Sequence, residues 1–157
     1  MKRSLLTLCL LTLGPASLLL AGPEIEPFRR IAIQDGGRTK PLDSFARDLA
    51  KRVQGARPFG LDRVQGLEPA EWVLALLAKP EDWRDRPIIK VTHAGLRDAV
   101  LLPAGRDHFS LNELFAHDGL GKALAVVQAK SERDLDLDPV DREVSELYGT
   151  LSTMAGV

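Results

Sequence analysis

The sequence predicts an α+β fold that is mainly helical, with about five helices and two or three short strands forming a minor sheet. Three observations carry this expectation. Apolar residues recur at helical spacing in three long stretches, around 42–53, 72–77 and 140–154. Candidate strands are few and short, at Arg30–Gln34 and Pro87–Val91. Proline, glycine and capping residues stand where the helical stretches would begin and end.

Taken in order, Arg30-Ile31-Ala32-Ile33-Gln34 is the first strand and Asp35-Gly36-Gly37 a turn. Pro41 opens a helix, at a position where its missing N–H costs nothing. Leu42, Phe45, Ala46, Leu49 and Val53 share one face of it, and Gly55 ends it. Residues 55–66 combine glycine, proline and charge and suit a loop. A second helix starts near Pro69, with Trp72, Val73, Leu76 and Leu77 as its stripe, and stops at Pro80. Glu81–Arg86 is a turn carrying Trp83, and Pro87–Val91 the next strand. Leu96–Leu102 suits a short helix and a strand equally. Ser110, with Glu113 three residues later, makes a capping box before Leu114 and Phe115. Gly119 and Gly121 act as punctuation before a helix over 122–130. Asp138-Pro139 starts the last helix, lined by Val140, Val144, Leu147, Tyr148, Leu151 and Met154. The expected core is Phe45, Leu49, Trp72, Leu76, Ile89, Leu114, Val127 and Leu147.

Residues 1–22 have the layout of a secretory signal: Lys2-Arg3, an apolar run from Leu5 to Ala21, and small residues at the exit. Two outcomes stay open, a cleaved signal peptide and an N-terminal membrane anchor. Gly14-Pro15 interrupts the run and weakens a spanning helix, which needs about 20 apolar residues. Either way, residues 23–157 form a single extracytoplasmic domain, periplasmic and free or tethered to the inner membrane. That is enough chain for a real core. Without Lys2 and Arg3, basic residues fall from 21 to 19 against 22 acids, a net charge of −3. Such a balance gives no general attraction for nucleic acid. The one cysteine, Cys9, lies within the apolar run, so the domain itself is expected to hold neither a disulfide nor a reactive thiol.

Catalytic motifs are absent: there is no Walker loop, no Gly-x-Ser-x-Gly, no His-Glu-x-x-His and no Cys-x-x-Cys-His. His93, His108 and His117 are dispersed, none paired at the spacings that let one element present two metal ligands. The acidic run Glu132, Asp134, Asp136, Asp138 lacks the glycine turn and terminal glutamate of a calcium loop and suits a solvated linker. Trp72 and Trp83 are expected as buried anchors. The most pointed segment is Asp35-Gly36-Gly37-Arg38-Thr39-Lys40-Pro41, with Asp43 just beyond it. Its glycines permit close approach of a partner's backbone, and two cations stand beside them at a helix start. The segment could hold an anion such as a carboxylate or a haem propionate. The plainer alternative is a strand-to-helix turn.

The order of segments also carries a resemblance. Ile33–Ala46 is followed by Glu71-Trp72-Val73-Leu74-Ala75-Leu76-Leu77, then Asp82-Trp83-Arg84, Pro87–Val91 and Asp141-Arg142-Glu143-Val144 with Leu147-Tyr148. This resembles the extracytoplasmic domain of fused cytochrome c biogenesis proteins of the ResB/CcsA type (system II). The part around Gly36, Arg38, Pro41, Leu42 and Asp43 is the most specific. In that family the haem chemistry belongs to multi-span membrane segments with a tryptophan-rich motif and membrane-side histidines, and this sequence has no counterpart of those segments. The resemblance therefore implies no catalytic residue and no enzyme. It implies a non-catalytic accessory module of cytochrome c maturation. The expected partners are a membrane-embedded cytochrome c synthetase subunit and apocytochrome c, with no nucleic acid. The domain holds no cofactor of its own and meets haem through the partner. Gly36, Gly37, Arg38, Lys40 and Asp43 are the contact candidates. The alternative is a free-standing periplasmic haem- or small-ligand-binding protein, which would need a histidine or Tyr148 in a pocket.

Overall fold

A computed structural model describes residues 24–55 and 63–157. The N-terminal run, Cys9 within it, and most of the loop expected over 55–66 lie outside the described residues. The chain starts with a single helical turn, α1 (Glu26–Arg29), and a β-hairpin of β1 (Ala32–Asp35) and β2 (Arg38–Pro41). Helices α2 (Leu42–Gln54) and α3 (Pro69–Ala78) follow, then the one-turn α4 (Glu81–Arg84). Strand β3 (Ile89–Lys90) pairs antiparallel with β4 (His108–Phe109) around the intervening α5 (Ala94–Val100). The chain then forms α6 (Leu111–Phe115), α7 (Asp118–Glu132) and α8 (Pro139–Gly156).

The fold is mainly helical α+β, as the periodicity implies. It is cut into more pieces than expected, with eight helices rather than about five among the described residues. The extra ones are α1 and α4, each of four residues and too short to show a period, and α5, whose segment suited either state; α6 starts at the expected capping box of Ser110. Among the described residues the strands number four and form two separate two-stranded sheets rather than one. Leu96–Leu102, which suited either state, is largely α5.

All eight expected core residues are buried. Trp72 is completely enclosed and meets Trp83 edge-on, with ring centroids 6.4 Å apart and planes at 76°. This is the arrangement that aromatic quadrupoles favour. Helix α2 packs against α3, and α7 against α8. Leu147, Leu151 and Met154 of α8 face inward, whereas Tyr148 of the expected stripe is exposed and stands edge-on to Phe115. Helix α3 is apolar without a break from Trp72 to Ala78, so Glu71 in its first turn is the one charged side chain it has to offer water. Trp72, Val73 and Leu76 are buried, whereas Leu77 remains 49% exposed.

Gly119 and Gly121 do not precede α7; both lie in its first turn. Their reasons differ. A Cβ at Gly119 would lie 1.8 Å from the carbonyl oxygen of Val100, the last residue of α5. Glycine there is what lets α5 and α7 touch. A Cβ at Gly121 would meet nothing within 4 Å. We expect Gly119→Ala to destabilise the fold by about 1–3 kcal/mol through overpacking. Gly121→Ala should stabilise it by about 0.5–1 kcal/mol through helix propensity. Denaturant midpoints of the two variants test this, and equal shifts would remove the close α5–α7 approach.

Candidate functional site

Asp35–Pro41 forms a β-hairpin, not a strand-to-helix turn. Asp35 pairs with Arg38 across a two-residue loop of Gly36 and Gly37, with φ of +57° and +77°. Positive φ at both central positions is the type I′ requirement, and it matches the natural twist of a hairpin. Two adjacent left-handed residues are costly for any side chain bearing a Cβ. Nothing lies within 4 Å of either position, so the glycines serve backbone conformation and not close packing. The extra strand escaped notice because Arg38-Thr39-Lys40-Pro41 carries no β-branched run and ends in proline.

The hairpin runs straight into α2. The N–H of Leu42 donates to the carbonyl of Ile31 at 2.8 Å, so the strand satisfies one free amide of the helix's first turn. Pro41 sits at the cap position in an extended conformation and supplies no side-chain cap. Asp43 lies in the first turn, where a negative charge complements the helix dipole. Its carboxylate also accepts from Arg29 and Arg47, both at 2.9 Å. Arg29 pairs with Glu68 as well, the residue before α3, and so joins α1, α2 and α3.

Directly paired residues on antiparallel strands share a face. Asp35 with Arg38, and Ile33 with Lys40, therefore lie on the same side of the hairpin. The ammonium of Lys40 sits 2.7 Å from Asp35 and 3.0 Å from Asp48 of α2. Lys40 is thus a brace between hairpin and helix rather than a free contact group. The exposed Arg38 makes no ion pair or side-chain hydrogen bond among the described residues. Of the five contact candidates, the structure gives Gly36 and Gly37 to the turn, Asp43 and Lys40 to fastening it, and leaves Arg38 uncommitted.

The three histidines are held separately, and two of them cap helices. The Nδ1 of His93 accepts the N–H of Leu96 at 3.1 Å, opening α5. The Nδ1 of His117 accepts the N–H of Gly119 at 3.3 Å, opening α7. An accepting Nδ1 leaves the proton on Nε2, so neither ring turns a ligating lone pair outward while it caps. At His108 the roles reverse: Nδ1 lies 2.7 Å from the Asp107 carboxylate, so Nδ1–H donates and Nε2 is the free acceptor. No group of three His, Cys, Asp or Glu side chains converges among the described residues.

A groove of about 320 Å³ runs between α2, β3 and α8, lined by Arg52, Lys90, Thr92, His93, Glu143 and Glu146. A second, more apolar one of about 430 Å³ lies between α1 and α3, lined chiefly by Ile25, Phe28, Leu67, Leu74, Ala75 and Ala78. Sequence periodicity could not show the first groove, because its residues come from four elements. The second had a signal, the unbroken apolar run of α3.

No protein-family model matches the chain, and neither does any curated protein.

The hydrogen bond from Lys40 holds the Asp35 carboxyl below its ordinary pKa, and Asp35 and Asp48 hold the Lys40 ammonium above its own. A lowered acid pKa contributes stability above the unfolded-state value, and the contribution fades as pH falls through the folded value. A raised lysine pKa contributes below the unfolded value and fades as pH climbs past it. The brace therefore operates between roughly pH 4 and pH 10. We expect wild type to exceed Asp35→Asn in stability by a constant margin near neutrality. That margin should close as pH drops below about 4. Denaturant titrations across the acid range test this, and a margin independent of pH would show that Asp35 acts through packing alone.

Proposed function

We propose that this chain is a non-catalytic accessory domain of cytochrome c maturation. It docks beside a membrane-embedded haem-handling synthetase through the tip of the β1–β2 hairpin. The observation that carries this is the state of Arg38. A type I′ turn and the Lys40 brace fix the hairpin against α2, and on this rigid mount stands an exposed guanidinium without a partner among the described residues. A guanidinium is a fork of donors suited to carboxylates, including those of an acidic loop on the synthetase and the propionates of haem held there. The order of segments supports the same reading through its resemblance to the extracytoplasmic domains of system II proteins. In this reading the domain works at the periplasmic face of the inner membrane, meets haem only through its partner, and presents apocytochrome c to it.

A second reading, a free periplasmic haem or small-ligand binder, has one observation in its favour: His93 lines the groove between α2 and α8. The capping role of its Nδ1 weighs against axial ligation, which would need the opposite tautomer.

Two measurements separate the readings. Arg38→Ala should leave the denaturant midpoint within about 0.5 kcal/mol of wild type, as an exposed residue free of contacts does. In cells it should lower the yield of holocytochrome c, and Arg38→Glu should lower it further. Lys40→Ala is the less clean variant, because it also removes the brace. Normal cytochrome c levels with Arg38→Glu would dismiss hairpin docking. Haemin added to the purified protein should give no sharp Soret shift; a tight shift abolished by His93→Ala would establish the second reading.

A further inference from the structure

We propose that the face formed by α1 and α3 lies against the lipid bilayer, into which the apolar run Leu5–Ala21 inserts as a retained anchor. The inference concerns a different surface from the hairpin and does not rest on the docking reading.

The first ground is the face itself. Helix α3 is apolar from Trp72 to Ala78, yet the core takes only part of its circumference. Leu74, Leu77 and Ala78 stand at i, i+3 and i+4 and so share one side. Leu74 and Ala78 line the apolar groove with Ile25 and Phe28 of the α1 region. Phe28 is 43% exposed and Leu77 is 49% exposed. These apolar side chains are grouped on one side of α3 and beside α1, and such grouping at the surface is the raw material of an interaction site.

The second ground is the tether. The apolar run ends at Ala21, four residues before Ile25. Four residues reach about 14 Å at full extension. An anchored chain therefore cannot carry Ile25 beyond the interfacial layer and its immediate surroundings. The covalent geometry keeps Ile25, at the edge of this face, close to the membrane.

The third ground is the weakness of the anchor. Gly14-Pro15 interrupts the run, and 17 residues from Leu5 to Ala21 fall short of the roughly 20 that a spanning helix needs. Marginal membrane attachment becomes stable when a second apolar contact is added. The α1–α3 face supplies that contact. Its surroundings mix acids and bases (Glu24, Glu26, Arg29, Arg30), so the attraction is apolar and should persist on neutral lipid.

The test uses the full chain in phosphatidylcholine vesicles that contain lipids bearing a nitroxide near the headgroup. Single-cysteine variants on a Cys9→Ser background carry a fluorophore at Leu77→Cys, Phe28→Cys or, as control, Leu135→Cys. Leu135 is matched to Leu77 in chemistry and, at 54%, in exposure. We expect several-fold stronger quenching at positions 77 and 28 than at 135, and an intact N-terminus by mass in the membrane fraction of cells. Phe28→Cys serves if Leu77→Cys fails to fold by circular dichroism. Equal quenching at all three sites would overturn the proposal. So would protection of position 77 in a species of twice the mass, which would assign the face to a second copy. Cleavage of the apolar run from the mature protein would also overturn it, since the tether would be gone.

Discussion

The eight helices among the described residues, four of them of seven residues or fewer, leave many helix ends in a small volume, and the need to satisfy those ends governs much of the rest. Each terminus presents backbone groups with no partner inside its own helix. The chain answers with a few devices, repeated from one start to the next. Ile31 offers its carbonyl to α2, and the Glu71 carboxylate reaches back to the N–H of Glu68 before α3. His93 and His117 give their ring nitrogens to α5 and α7. Ser110 and Glu113 exchange hydrogen bonds at α6, as do Asp138 and Asp141 at α8. Lys130, near the end of α7, then neutralises both of those aspartates. Helices of four to seven residues do not hold themselves in water, so these caps and the shared core maintain them together.

That requirement also explains why a sequence with three histidines and many carboxylates assembles no reactive cluster among the described residues. The polar side chains that might have converged are spent locally. Among the described residues, Asn112, which donates to the Asp85 carboxylate, and Arg29 act over long range; Arg29 reaches the most elements. It bridges α1, Asp43 at the start of α2 and Glu68 before α3. The hairpin thus stands on a base held by charge from below and by Lys40 from the side. Lys130 pairs with the exposed Asp138, a contact that yields little, as surface ion pairs do, and with Asp141. Its value is positional: Asp141 is nearly buried, and the ammonium keeps that carboxylate compensated.

The helices were legible wherever their apolar period exceeded two turns. The stripe of α2 and the inward residues Leu147, Leu151 and Met154 of α8 needed no tertiary information. Nor did the capping box at Ser110. Single-turn helices escaped because four residues cannot display a period of 3.6. Strand β2 escaped because its pairing is fixed by the turn before it, while its own composition is polar. The glycines of α7 misled for a subtler reason. Glycine is a poor helix former, so it suggests a boundary, yet Gly119 is required by the passage of another backbone and not by a turn. In the candidate site the sequence singled out a segment but not the division of labour within it. Whether a cation is spent on a brace or left free depends on Asp48, eight residues away on the next helix.

The placement of α8 bears on the order in which the molecule can be completed. This helix is 18 residues long and is the last element of the described chain. It contributes Val144, Leu147, Leu151 and Met154 to the same interior as Leu49 and Trp72. A chain that emerges amino end first, from a ribosome or an export channel, therefore presents an unfinished core until α8 is through. Earlier segments can form the β1–β2 hairpin and the α2–α3 pair through near-neighbour contacts, but the surface that α8 covers stays open meanwhile. On this geometry the interior can close only when the last described helix arrives.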